Sequence, residues 1–374
     1  MPKVLIFGAT PAQGGIETFV LNVCKVMQGL ADIYLYNFSG KPLAYNDVLI
    51  KKYHVKILDI VTPNNLLGHF TRKAQYKKFF KEHQFDIVHI NANSPSNYDF
   101  AEAALKAGAK VIYHSHNDSA ESFSIGTKHR KLISKVRSAQ KKRLSGLDIK
   151  RVAVSNNAAQ WMFGNNQEVQ IIPNGVDFER VKFSHEKRVQ GRATLHISDS
   201  DTVLLVASRL TKQKNVGTSL SIAKLAVESD VAQHLIIVGD GEERALINAT
   251  LNTYPQKIQQ RIHLLGAQTD MQLWYSVSDI LLMPSLYEGL PYSVLEAQAN
   301  GLSILASKAI PQQAVIVKNL IHFENIQNTD DIWVKNIQLF GNKVERKEYL
   351  QVAMRSKYSI ENFKNIIGDI YGSV

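Results

Sequence analysis

Along the first half of the chain, short apolar runs rich in valine and isoleucine alternate with segments whose apolar residues recur at helical spacing. The runs are KVLIFGA (3–9), DIYLYNF (32–38), FDIVHINA (85–92), KVIYHSHN (110–117) and RVAVS (151–155); IETFVLNVCKVM (16–27), YKKFFKEH (76–83) and AEAALKAG (101–108) lie between them. Strand-length apolar runs that take turns with amphipathic segments predict βαβ units under a parallel, doubly wound sheet. The second half repeats the pattern with TVLLVAS (202–208), HLIIVGDG (234–241), IHLLG (262–266), DILLMPS (279–285) and LSILAS (302–307). Helices are expected through 219–227, from Glu242 and after Pro291. Two Rossmann-like domains in tandem are the predicted architecture.

The predicted boundary follows IIPNGVD (171–177), where Pro173 interrupts any strand, Asn174-Gly175 is a turn pair, and a polar stretch runs from Phe183 to Ser200. The division is a first domain over 1–180, a second over 181–355, and a segment 356–374 whose helix, about Ser359 to Tyr371, can pack back on the first domain. A chain of 374 residues exceeds what one core usually fills, in keeping with two domains. The single cysteine, Cys24, falls in an apolar helical stretch and has no intrachain partner, which fits a reducing cytoplasm. No apolar run approaches the roughly 20 residues that span a bilayer.

Charge changes the picture. Of a net +11, residues 1–150 hold 22 Lys and Arg against 11 Asp and Glu, whereas residues 151–374 hold 22 of each. A basic first half points to an acidic partner such as nucleic acid, anionic lipid or a phosphorylated substrate, against the plainer alternative of a solvated face. The segment Lys128 to Leu147 sets Leu132, Val136, Ala139, Leu144 and Leu147 on one helical stripe among basic residues, a pattern that can lie on an anionic membrane. Arg72 to Lys81 interleaves basic residues with Tyr76, Phe79 and Phe80. Single-stranded nucleic acid is also met by such mixtures, but no RNA-binding fingerprint accompanies them and none is expected as a partner.

Candidate chemistry concentrates in PSLYEGLPYSVLEAQANGL (284–302), where an apolar run, a tight loop and a helix follow one another. Pro291 suits the first turn of that helix and Gly301 its end. Unpaired N–H groups at such a helix start suit phosphate oxygens, and Gly289, beside Leu290, allows close approach to the backbone. Glu288 precedes the helix and Glu296 lies within it, so the two carboxylates can address different hydroxyls of one extended ligand. Either glutamate alone reads more simply as a helix-start acid or a surface residue. Arg209 and Lys214 in SRLTKQKN (208–215) follow an apolar run, where a loop can present them to a diphosphate.

Two glutamates with seven residues between them in this setting resemble the signature of the retaining glycosyltransferases of family 4, which have the GT-B fold. The resemblance extends through GGIE (14–17), HSHN (114–117), VAVSNNAAQWMFG (152–164), IIPNGVD, SRLTKQKN and IIVGDGEE (236–243), and is nearest to the branch that builds bacterial capsular and exopolysaccharides. It implies two Rossmann-like domains whose parallel sheets face across a cleft, the first for the acceptor and the second for the nucleotide sugar. Arg209 and Lys214 match the pair that neutralises the donor diphosphate, Glu288 contacts the donor sugar, and Glu296 holds the ribose. The base rests near Gly266, and Gly14 and Gly15 let the donor phosphate or acceptor approach. A histidine at the end of the run KVIYHSHN faces the donor sugar and the acceptor: His114 or His116, with a lean to His114 as the nearer to the strand end. FGATPAQGG also has the glycine spacing of a sugar-epimerase phosphate loop, but Pro11 lacks the N–H that loop needs. Ser208 departs from the glycine usual before the arginine.

These matches imply a metal-independent, cofactor-free transfer from a UDP-sugar to a polyprenyl-diphosphate-linked saccharide, in the cytoplasm at the inner face of the cell membrane. The alternative is an inactive GT-B subunit that stabilises a partner enzyme.

Overall fold

The computed structural model describes residues 1–60, 66–116, 130–165, 168–340, 346 and 349–372. Among the described residues thirteen strands are formed: β1 Lys3–Phe7, β2 Asp32–Asn37, β3 Lys56–Asp59, β4 Ile87–Ala92, β5 Lys110–Ser115, β6 Lys150–Ala153, β7 Gln170–Ile171, β8 Val203–Ala207, β9 His234–Val238, β10 Ile262–Gly266, β11 Ile280–Met283, β12 Ser303–Ser307 and β13 Ile321–Glu324. Three of them, β3, β7 and β13, lie outside the apolar runs. β3 and β13 are half-exposed and β7 is two exposed residues, so none carries a buried-strand pattern.

The chain divides into two compact units, Met1–Gly175 with Ile360–Val374, and Val176–Ser359. The crossing therefore falls inside IIPNGVD, ahead of the expected Val181, and the return crossing falls after Ser359 rather than Arg355. In the second unit Val176 N donates to Tyr358 O at 2.8 Å, tying the entering and leaving strands together.

The first sheet runs β3-β2-β1-β4-β5-β6-β7 and the second β10-β9-β8-β11-β12-β13, with every pairing parallel. Side chains alternate between the two faces of a strand, so a sheet covered on both faces needs apolar residues at every position. β1 shows this: Val4 and Ile6 enter one core and Leu5 and Phe7 the other. β8 repeats it with Val203 and Leu205 against Leu204 and Val206. The helix Ile360–Gly372 belongs to the first unit, where Phe363, Ile367, Ile370 and Tyr371 join the core built on the helix Gly15–Val26.

In each sheet the strand order reverses beside the first strand, between β1 and β4 and between β8 and β11. Loops leaving the carboxyl ends of those strands diverge to opposite faces and leave room for a ligand. GGIE and the turn after β4 occupy that position in the first unit, and SRLTKQKN and the loop 284–291 occupy it in the second.

Candidate functional site

The loops after β8 and β11 are fastened to each other by backbone and amide groups. Leu286 N donates to Gln213 O at 2.8 Å, Gln213 Nε2 to Tyr287 O at 2.8 Å, and Asn215 Nδ2 to Pro284 O at 3.1 Å. Asn215 holds φ +53°, a left-handed conformation that asparagine tolerates, and it caps the helix Val216–Glu228. This fastening brings Lys214 Nζ to 2.5 Å from Glu288 Oε1, both side chains largely buried at 13% and 5% exposure. A charge pair so little hydrated is held by its geometry, and its cation is positioned before any ligand arrives. Arg209 stands exposed on the same loop. The Ser208 hydroxyl turns to the Arg209 carbonyl at 3.3 Å, a local bond that occupies its proton.

Pro291 is the residue before the helix Tyr292–Asn300 rather than within its first turn, and Gly301 ends it at φ +76°. Leu290 is buried in the core and anchors the loop, while Gly289 stays partly exposed. Inside the helix Glu296 accepts from Tyr275 Oη at 2.7 Å. Burial pushes the Glu296 carboxyl above its ordinary value, against the Tyr275 bond and the Arg180 charge, which lower it. One oxygen is thus committed to Tyr275 and the other is left to accept from a hydroxyl. Gly266 holds φ +72° at the end of β10, and a Cβ there would lie 3.1 Å from Arg244 Nη1, so the guanidinium borders this spot.

In the first unit Gly14 is extended at φ −164° and precedes the helix Gly15–Val26, with open space where a Gly15 side chain would be. Glu17 shapes the loop before it by accepting from Thr10 N at 3.0 Å and Thr10 Oγ1 at 2.7 Å. His114 is fully buried, with Nδ1 3.2 Å from His89 Nε2, and His89 Nδ1 in turn lies 2.9 Å from Tyr371 Oη. His116, partly exposed just past β5, has Nε2 2.8 Å from Asn91 Oδ1. The ring at the strand end is therefore His116, and His114 sits in the core behind it, contrary to the lean towards His114. Asn117 lies outside the described residues. Among the described residues no group of three or more His, Cys, Asp and Glu is placed to hold a metal ion.

The edge of Phe19 meets all three imidazoles, with ring centroids 4.6 to 5.8 Å apart. Burial lowers His89 and His116 to about 3, and lowers His114 well below its ordinary value with help from its two neighbours. Each ring is thus neutral in the fold while its unfolded counterpart gains a proton below about pH 6.5. The unfolded state binds more protons throughout the window from about 6.5 down to about 3, so stability is complete above that window and falls as pH drops through it. Calorimetry at pH 7 and pH 5 should show a lower melting temperature at pH 5, with a shallower dependence in His89→Gln; equal melting temperatures in the wild type would refute the charge assignment.

The two basic segments differ from each other in exposure. The helix Arg130–Ser145 leaves Val136 and Ala139 exposed and buries Leu144, so the apolar stripe is packed only in part. Arg137 and Lys141 instead lie over the Trp161 ring, 4.7 and 4.5 Å from its centroid, and Lys141 donates to the Trp161 carbonyl. Lys128 and the Leu132 side chain lie outside the described residues. Tyr76, Phe79 and Phe80 are core residues on the sheet, unavailable for stacking on bases. No helix among the described residues is long and apolar enough to cross a membrane.

Two parallel α/β units, each gathering its loops at a switch point, define the GT-B class of fold. The sequence families agree: residues 13–180 match the family described as Glycosyltransferase Family 4, and residues 201–342 the family described as Glycosyl transferases group 1. The chain belongs to these glycosyltransferases. It is 24% identical over 345 residues to EpsF of Bacillus subtilis (strain 168), named a glycosyltransferase, covering 87% of this chain and 84% of that one. It is 27% identical over 250 residues to the UDP-Gal:alpha-D-GlcNAc-diphosphoundecaprenol alpha-1,3-galactosyltransferase of Escherichia coli, covering 65% of this chain and 62% of that one. Anabaena Alr3699/HepE in complex with UDP and glucose superposes over the full length of both chains with a TM-score of 0.78 at 18% identity. WaaG, a glycosyltransferase involved in lipopolysaccharide biosynthesis, superposes with a TM-score of 0.74 at 16% identity over 98% of this chain and 99% of that one. These two likenesses show the fold.

The residues that the motif reading left out are Gln213, Asn215, Tyr275, His89, Asn91 and Tyr371. Gln213 and Asn215 flank Lys214 within SRLTKQKN, and a polar residue on each side of a candidate cation was a usable signal. The other four carry none, because their partners lie far away in sequence.

Proposed function

We propose that this glycosyltransferase moves a sugar from a nucleoside diphosphate donor, UDP-linked, to a hydroxyl of a lipid-linked saccharide, with retention at the anomeric carbon and without a metal. The observation that carries the reading is the Lys214–Glu288 pair, preset by two fastened loops at the carboxyl ends of β8 and β11. A diphosphate leaving group gathers negative charge as the glycosidic bond breaks, and a fixed cation in a poorly hydrated site stabilises that charge without reorganising. Arg209 supplies a second cation from the exposed side of the loop. The free oxygen of Glu296 suits a ribose hydroxyl, Glu288 suits the donor sugar, and the Gly266 and Arg244 edge suits the base. Gly14 and Gly15 open the first unit's loop to a phosphate or an acceptor.

The E. coli relative is named for a UDP-galactose donor and an undecaprenyl-diphosphate acceptor, and HepE is described with UDP and glucose; both support the donor and acceptor classes proposed. The basic excess of residues 1–150 supports an anionic, membrane-held acceptor and a peripheral position at the cytoplasmic face of the membrane. The proton of the acceptor hydroxyl passes to the departing phosphate on the same face of the sugar.

A thermal-shift screen of nucleotide sugars tests the donor. A true donor at about 100 times its dissociation constant should stabilise the chain by about 3 kcal/mol, with Glu296→Ala losing most of the shift. Absence of a shift with every UDP-sugar, together with no slow hydrolysis of any of them, would sink the proposal. Full transfer activity in Glu288→Ala would favour a scaffold subunit instead.

A further inference from the structure

We infer that Asn91 is a positioning residue that fixes His116, just past the end of β5, as its Nε2–H tautomer, so that its Nδ1 is bare, an acceptor for a hydroxyl of the carbohydrate ligand. The argument runs through the Asn91 amide. Its Nδ2 donates to Phe7 O, the last carbonyl of β1, at 3.2 Å. A carbonyl only accepts, so the amide is oriented with its NH₂ towards Phe7 and its oxygen towards His116. That oxygen lies 2.8 Å from His116 Nε2 and also only accepts, so Nε2 must carry a proton. A neutral imidazole has one N–H, and Nδ1 is left as a lone pair.

Neutrality follows from the surroundings. Among the described residues, the groups facing His116 are His114, at 4.2 Å between ring centroids, Phe19 edge-on from the helix Gly15–Val26, and Asn91 from β4. His89 stands behind His114. No carboxylate among these stabilises an imidazolium, and burial lowers the pKa further. The Asn91 backbone is itself closely covered. A Cβ on Gly8, which holds φ +114°, would lie 2.2 Å from Asn91 O, so only glycine lets the turn after β1 close down on Asn91. His114 has its own chain to His89 and Tyr371, and among the described residues Asn91 is the group hydrogen-bonded to the His116 ring.

A bare Nδ1 accepts from sugar hydroxyls and does not donate to a phosphate, so this corner selects a neutral polyol. The ligand rests on the sugar-transfer reading; the tautomer does not. Histidine-selective ¹⁵N labelling of the full chain, with the His116 signals identified by their loss in His116→Gln, reads the tautomer directly. In the wild type at pH 7 the proton should be on Nε2. Asn91→Ala should release it, with both tautomers populated and kcat lowered about tenfold while KM for the donor changes little. Asn91→Asp should keep the proton on Nε2 and move the His116 titration to higher pH, because a carboxylate favours the cation. Saturating UDP-glucose or UDP-galactose, whichever gives a thermal shift, should move the Nδ1 resonance and leave the tautomer in place. A proton on Nδ1 in the wild type, an unchanged tautomer in Asn91→Ala, or an unmoved Nδ1 with a nucleotide sugar bound would each overturn the inference. Should no nucleotide sugar bind, the proposed function falls, while the tautomer spectra of the free protein still decide the role of Asn91.

Discussion

Lys214→Ala is expected to lower the rate of sugar transfer by about 10²–10³-fold, the cost typical of removing one preorganised donor from a developing negative charge. Lys214 meets the conditions for so large an effect. Its ammonium is 2.5 Å from Glu288, both side chains are nearly out of water, and the loop that carries it is pinned on either side by Gln213 and Asn215. Coulombic effects in so poorly hydrated a place exceed those of an exposed lysine several-fold. Lys214→Arg should recover only part of the rate, because a planar guanidinium does not fit where a compact ammonium was. A double-mutant cycle with Glu288→Gln, followed by steady-state kinetics, separates the pair's coupling from the separate work of each residue on the donor. A loss under about fivefold in Lys214→Ala would show that the pair only braces the loops.

The second large effect is on stability and lies at the opposite end of the same strand. Asp279 stands just before β11, where its carboxylate receives Arg188 at 2.8 Å, Arg192 at 2.7 Å and Val203 N at 2.9 Å, with Arg346 at 3.6 Å. Arg192 is fully buried, and burial lowers Arg346 to about 10. Removing the one carboxylate leaves several poorly hydrated guanidinium groups repelling each other, so Asp279→Ala should cost roughly 3–5 kcal/mol. For a domain of this size that is a fall of roughly 6–20 °C in melting temperature. Calorimetry would read it, and donor binding measured well below the new transition should survive, because the cluster is at the amino end of the strand and the candidate site at the carboxyl end. A fall of under about 3 °C would mean that water replaces the carboxylate.

Asp279 shows why part of the molecule was legible and part was not. In the sequence it is the polar residue that opens DILLMPS, and the apolar run marked the strand correctly. That three arginines 67 to 91 residues distant converge on it is invisible to any window along the chain. The helix Arg130–Ser145 is a sharper instance. Its periodicity predicts an apolar stripe without saying what covers it, and in the fold Val136 is half exposed while Arg137 and Lys141 lie on Trp161. A helical period says that a helix has faces; which face packs depends on what the sheet offers, and here an indole ring outweighed two small apolar residues. The aromatic residues at 76, 79 and 80 followed the ordinary rule and entered the core.

Neighbours along the chain settle the strand and helix periods, the turn at Asn174-Gly175 and the glycine that ends the helix after Pro291, and hence two parallel α/β sheets with a glutamate motif beside a helix start. Which polar groups meet is settled by the folded chain. Lys214 reaches Glu288 across 74 residues, His114 reaches His89 across 25, and Tyr371 reaches His89 across 282. The reason is physical: backbone propensity acts over one or two turns, whereas a buried polar group must find a partner anywhere the fold brings one, and its protonation follows from that partner.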